Sequence, residues 1–159
     1  MSVNIFVKVG DVVGESRDSR HKEEIEALSW AWGLSNPGEA PGGSETGRVT
    51  FQNLTFTHHV DKASPGLMLA CASRTTFADA RLTVRKTGTT TPHEFVSIRL
   101  EDVLVVGVES TGTTEAGSLL ERVTLGFARV DFEYKPQKVD GSFDEGVHFR
   151  WDVQNNATF

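Results

Sequence analysis

The chain has 159 residues, of which 38% are hydrophobic, 9% aromatic and 24% charged, a composition typical of one soluble globular domain. Its 16 basic and 22 acidic residues give a net charge of −6, which disfavours general nucleic-acid binding because that function needs a basic surface. The one cysteine, Cys71, cannot form an internal disulfide, which excludes the small disulfide-stapled secreted proteins.

No apolar run approaches the roughly 18 residues that a membrane-spanning helix needs, so we expect no direct membrane insertion. Residues 1–8 lack the basic and apolar regions of a Sec signal peptide. We therefore expect the chain to fold in the cytoplasm and, if exported, to leave by another route. No linker, repeat or low-complexity segment divides the chain, which predicts a single domain over 1–159.

Alternation of apolar and polar residues, the pattern of strands with one buried face, dominates the sequence. It predicts strands, in chain order, at 3–9, 25–34, 48–57, 77–86, 95–108, 119–134 and 147–153. The buried parity changes at Gln52–Asn53, which a β-bulge would accommodate. It changes again midway through 119–134, as expected where a strand bends to serve two sheets or turns a barrel corner.

Residues 64–72 break this pattern and predict a short helix of two to three turns. Ser64 offers an N-cap, Pro65 follows at the first helical position, and leucine, methionine and alanine come next. Seven or more strands with one helix predict a mainly β domain, either a barrel or a sandwich.

The second predicted strand has two unequal faces. One face has large side chains, which we expect to anchor the strand in the core: Leu28, Trp30, Trp32 and Leu34. The other has only small ones: Ala27, Ser29, Ala31 and Gly33. A stripe of small residues either packs closely against another backbone or forms a smooth wall that faces open space, and the periodicity does not choose between the two.

Residues 35–47 form the longest predicted loop, in which six of thirteen residues are glycine or proline. Loops of this length in compact domains are usually functional or mobile. Two interpretations stay open, a surface flap without a role or an arm that reaches a neighbouring subunit.

We predict no catalytic, cofactor-binding or metal-binding residues, because the common catalytic, nucleotide-binding and metal-binding motifs are absent. His58 and His59 are adjacent on a strand and point to opposite faces, which predicts a polar pair at a strand end rather than a shared metal site. His21 with Glu23 and Glu24 is a weak metal candidate without complementary ligands elsewhere. We expect Cys71 to pack as a small hydrophobe.

Four segments, taken together, resemble the Hcp (haemolysin-coregulated) proteins, which form tubes in the bacterial type VI secretion system. They are VNIFVKVGDVVGES at 3–16, HKEEIEALSWAWG at 21–33, DKASPGLMLACAS at 61–73 and DFEYKPQKVDGS at 131–142. Each segment alone is a modest match. Their order and their spread along nearly the whole chain make the resemblance specific.

The resemblance implies a two-sheet β-barrel with one flanking helix and an extended loop at 35–47. It implies homohexameric rings that stack into a hollow tube, which sheath contraction expels together with a spike-tip protein. The protein would then be cytoplasmic when assembled and secreted afterwards. In some members the lumen carries small effector proteins, so the alternative is a ring-shaped carrier that does not polymerise. Extended members have a C-terminal toxin domain, which we do not expect in this chain.

The resemblance also implies roles for the two unusual segments. Small residues would face the lumen, namely Ala27, Ser29, Ala31 and Gly33, while Trp30 and Trp32 would lie in the barrel core. Ala31 stands where members commonly have serine, so a hydroxyl is lost at a predicted lumen position. A contact between subunits or rings would be made by the loop residues Asn36, Pro37, Gly38, Glu39, Ala40, Pro41, Gly42, Gly43, Ser44 and Glu45.

Deletion of residues 38–44 should leave the fold intact, because a segment rich in glycine and proline buries little apolar surface. It should weaken ring assembly or stacking. Circular dichroism and thermal melting would check the fold, and electron microscopy would check the assemblies. Unchanged tube formation and secretion by the deletion variant would contradict the assembly role.

Overall fold

The computed structural model describes residues 2–37, 49–88, 91–115 and 117–159. Its elements are, in chain order, β1 (Val3–Val9), β2 (Ile25–Ala31), β3 (Leu34–Ser35), β4 (Thr50–Phe51), β5 (Leu54–His59), α1 (Ser64–Ser73), β6 (Thr76–Lys86), β7 (His93–Gly112), β8 (Leu119–Gly126), β9 (Arg129–Tyr134) and β10 (Val147–Asp152). The predicted mainly β class is confirmed.

Six strands close into a barrel in the order β7, β6, β1, β2, β5 and β8, and the pairing of β8 with β7 completes the circle. All these pairings are antiparallel. The 20-residue β7 pairs along its first part with β6 and β9, and along its second part with β8. Strands β9 and β10 extend the sheet beyond the barrel.

The core fills the barrel with side chains from every barrel strand and from α1. The fully buried large ones include Ile25, Leu54, Phe56, Leu67, Leu82, Ile98, Leu100 and Leu125. Trp30 and Trp32 pack against this core, as expected. Trp32 also stacks on Phe51 and Phe132, so that the aromatic side chains of β4 and β9 continue the core beyond the barrel.

A bulge in β2 changes the predicted face of that strand, and β7 has a similar bulge where it pairs with β8. The register shifts between Ala27 and Ser29 and again in β7 between Val105 and Gly107, which leaves Leu28 and Val106 as the extra residues. Leu28 is 51% exposed, so its predicted place among the core anchors is wrong. Leu34 is wrong too: it lies in the short strand β3, paired with Phe51, and its side chain is exposed.

Both predicted changes of parity coincide with breaks between strands. The predicted strand at 48–57 is interrupted at Gln52–Asn53, between β4 and β5, while residue 48 lies outside the described residues. The predicted strand at 119–134 is interrupted at Phe127–Ala128. Because of that break, β8 pairs with the second part of β7 and β9 with the first.

The predicted helix is present, but its N-cap lies one residue earlier than expected. Ala63 occupies the cap position without a side-chain hydrogen bond, and α1 begins at Ser64. Instead of capping, the Ser64 hydroxyl accepts a hydrogen bond from the Asp61 backbone N–H at 3.2 Å, and the Asp61 carboxylate accepts one from the Ala63 N–H at 2.9 Å. The turn before the helix is therefore held by a serine and an aspartate together.

Leu67 and Leu69 provide a matched test of how α1 stabilises the barrel. Leu67 is completely buried and Leu69 is 68% exposed on the same helix. Leu67→Ala should lower the free energy of unfolding by about 2–5 kcal/mol, because it removes buried methyl groups and leaves a cavity. Leu69→Ala should change it by no more than about 0.5 kcal/mol. Urea unfolding of both variants checks this, and equal losses would contradict the packing of α1 described above.

Candidate functional site

Four adjacent strands present two rows of side chains on the outer surface of the barrel. The rows run across β2, β5, β8 and the second part of β7, because residues that pair across strands share a face. The polar row consists of Ser29, Thr57, Arg122 and Glu109. The small row consists of Ala31, Thr55, Thr124 and Gly107. Together these rows are called the four-strand face below.

Hydrogen bonds fix three of the four hydroxyl groups of this face. The Ser29 and Thr57 hydroxyls bond to each other across the strands, and the Thr55 hydroxyl donates to the Ala31 carbonyl at 3.3 Å. Threonine is the largest side chain of the small row. The four-strand face is therefore smooth along the small row and hydrogen-bonded along both rows.

The polar row is also neutral overall. Arg122 lies opposite Glu109 in the register, with the guanidinium nitrogen 3.7 Å from the carboxylate oxygen. Both side chains are largely exposed, so solvent screens this ion pair and its contribution to stability is small. The pair nevertheless cancels the two charges of the four-strand face.

Large apolar side chains support the four-strand face from the core side. Trp30, Phe56, Val123 and Val108 form the matching row on the inner surface of the same strands. Phe56 and Val123 are almost completely buried, and the others pack against the core. Since a packed core holds its side chains in place, the outer rows are held on a rigid backbone.

The structure divides the small residues that the sequence grouped together. Ser29 and Ala31 are exposed on the four-strand face. Ala27 instead packs against the core, because the bulge at Leu28 turns the strand between Ala27 and Ser29. Gly33 lies beyond the end of β2, half-buried beside Gln52. The prediction of one continuous stripe is therefore wrong for Ala27 and Gly33, while the lumen role of Ser29 and Ala31 stays a prediction.

The predicted contact loop is described at its start alone. Asn36 and Pro37 follow β3 and are exposed. The rest of the predicted contact residues lie outside the described residues, namely Gly38, Glu39, Ala40, Pro41, Gly42, Gly43, Ser44 and Glu45.

A buried charged pair lies next to the four-strand face, on the core side of the same strands. His58 and Glu121 pair across β5 and β8, and their side chains are 0% exposed. The His58 Nε2 lies 2.8 Å from one Glu121 carboxylate oxygen, and the Ser110 hydroxyl donates to the other at 3.0 Å. Burial opposes the charged form of His58, but the carboxylates of Asp61 and Glu121 outweigh it and raise the pKa above its usual value of 6.5.

Sequence reasoning placed His58 and His59 on opposite faces, which is correct, but missed the buried pair. His59 is exposed, whereas His58 points inward. The alternation along each strand shows where the two side chains point. His58 is at every second position with the buried Leu54 and Phe56, and Glu121 is likewise on the same face as the buried side chains of β8. A polar residue at the buried parity of a strand is a signal for a partner on the neighbouring strand.

His21 is part of a polar network with two glutamates. Its Nδ1 lies 2.9 Å from Glu24 and its Nε2 lies 2.6 Å from Glu94, while its ring stacks on Phe6. Glu23, the other predicted ligand, is exposed, and the two ring nitrogens of His21 are taken by Glu24 and Glu94 instead. Within the described residues, no three histidine, cysteine, aspartate or glutamate side chains are grouped so that they could hold a metal ion.

Solved structures with a similar fold include proteins of a bacterial secretion system. A protein described as a type six secretion system protein has a TM-score of 0.91 at 25% identity, covering 99% of this chain and 100% of that chain. Hcp1 from Salmonella typhimurium has a TM-score of 0.81 at 32% identity over the full length of both chains. The fold is thus the one found in proteins of the type VI secretion system.

Sequence comparison identifies the family. Protein hcp1 of Pseudomonas aeruginosa is 44% identical over 160 residues, covering 99% of both chains. The family model described as "Type VI secretion system effector, Hcp" matches residues 6–134. The chain therefore belongs to the Hcp family of the type VI secretion system, which confirms the resemblance found in its motifs. In the described part of the chain, no helix is both long enough and apolar enough to cross a membrane.

Proposed function

We propose that this chain is the structural subunit of the inner tube of the type VI secretion system. Six copies form a ring, rings stack into a hollow tube, and contraction of the surrounding sheath expels the tube together with its spike tip. The same rings carry small effector proteins in the lumen. The subunit itself has no catalytic role, and its export through this system needs no signal peptide.

The observation that supports this proposal is the four-strand face. A channel that passes folded cargo needs a wall without protruding side chains, and the small row supplies it with alanine, glycine and two threonines. The polar row adds hydroxyl groups and a neutralised ion pair. A wall of this kind allows a protein to pass without strong apolar or charged attraction.

A ring-shaped effector carrier that does not polymerise is the second candidate function. It is favoured by the polar row, because Ser29, Thr57 and the Arg122–Glu109 pair offer both hydrogen-bond donors and acceptors to a protein held in the lumen. The two functions share the ring and differ in whether rings stack.

The purified protein should elute at about six times its subunit mass of 17.4 kDa and appear in negative stain as a ring with an open centre. Subunits of a closed ring make head-to-tail contacts, and the rotation between neighbours sets the number of subunits that closes the ring. Light scattering across a hundredfold range of protein concentration is the measurement. A monomer over the whole range would contradict both the tube and the carrier, and rings that never stack would leave the carrier alone.

Ala31→Arg should reduce the retention of a co-expressed small effector about tenfold or more, because it places a long charged side chain on the small row in every subunit. Ring formation should persist, since Ala31 is exposed. Ala72→Arg, at an exposed alanine on α1, is the matched control and should retain the effector normally. Co-purification of ring and effector measures the effect. Intact Ala31→Arg rings with unchanged retention would show that the four-strand face does not line the lumen.

A further inference from the structure

Both ring nitrogens of His58 face carboxylates inside the barrel. Nε2 lies 2.8 Å from Glu121, and Nδ1 lies 3.7 Å from the Asp61 carboxylate without a hydrogen-bond partner among the described residues. A neutral imidazole has a single N–H. In either neutral form, one bare nitrogen lone pair would therefore point at a carboxylate oxygen, whereas the doubly protonated ring presents a proton to each side.

Glu121 has the same requirement for a positive partner. Its side chain is 0% exposed, and its two oxygens accept hydrogen bonds from His58 and from the Ser110 hydroxyl. A buried carboxylate without a counter-charge is strongly unfavourable, because water no longer solvates it. His58 supplies the cationic partner in this pair, so loss of its proton would leave the Glu121 carboxylate uncompensated.

The groups around His58 come from all the elements packed against it. β8 provides Glu121, β7 provides Ser110, the turn before α1 provides Asp61, and β5 itself provides the ring of Phe56 at 5.7 Å between centroids. Ala27 of β2 pairs with His58 in the register and adds no charge. The ring thus connects three barrel strands and the start of α1 through two carboxylates.

We propose that His58 is a proton-dependent lock of the barrel. The doubly protonated ring holds β5 to β8 and to the turn that begins α1. Loss of a proton breaks this connection, so that the subunit becomes less stable as the pH rises. A second consequence rests on the proposed function: the lumen wall should become less ordered at alkaline pH, because β5 and β8 also bear the four-strand face.

Protonation of His58 is coupled to folding, so the stability of the subunit depends on pH. The folded chain holds the proton more tightly than the unfolded chain, because the pKa of His58 is raised above 6.5. The stabilisation is complete below about pH 6.5 and is lost as the pH rises through the folded pKa. At most, the folding equilibrium constant falls tenfold per pH unit in that interval for one proton.

Urea unfolding between pH 5.5 and 9 tests the lock with a matched pair of variants. His58→Lys keeps a positive charge throughout the range. The folding equilibrium constant of this variant should therefore fall less steeply with pH than that of the unchanged chain, by up to tenfold per pH unit. His59→Lys makes the same substitution at the exposed neighbour and should keep the full pH dependence. If both variants keep the pH dependence of the unchanged chain, His58 is not the lock.

Nitrogen NMR of the unchanged chain gives a second measurement that does not depend on a variant folding. The ring-nitrogen shifts of His58 should show both nitrogens protonated in more than half of the molecules at pH 6.5, with a midpoint above that value. A midpoint at or below pH 6.5 would overturn the proposal.

Sedimentation of the protein over the same pH range tests ring formation separately. If the chain never forms rings but His58 behaves as proposed, the proposed function is wrong and the role of His58 stands.

Discussion

Closure of the barrel through β7 is the constraint on which the other features depend. This strand is long enough to pair with β6 and β9 along its first part and with β8 along its second. Without the β7–β8 pairing, β8 would be an open edge and the four-strand face would have no fourth strand. The bulge at Val106 lets β7 keep its core residues inward while it changes partner.

Most of the fold could be predicted from alternation, because one buried face imposes a period of two on each strand. The pattern located nearly all the strands and the helix, and the parity changes marked both breaks. It failed at Leu28, because a bulge adds one residue that looks like an ordinary apolar position in the sequence. The same extra residue moved Ala27 to the core side, so the predicted small stripe lost its first member.

The candidate site was harder to predict, because it is made of residues brought together by pairing. Ser29 and Ala31 could be proposed from β2 alone, but Thr55, Thr124 and Gly107 become their neighbours through the register of three further strands. The His58–Glu121 pair has the same origin, since 63 residues separate its members along the chain. Local sequence shows which face a side chain takes but not which side chain lies opposite.

The order of the strands has a consequence for biosynthesis. β1 has its partners in β2 and in β6, β5 lacks its second neighbour until β8 has been made, and β7 closes the barrel with β8. The nascent chain must therefore keep apolar strand edges exposed until about residue 126 is available. Such distant pairing slows folding relative to a helical protein of equal length, and it leaves strand edges open to wrong partners for longer.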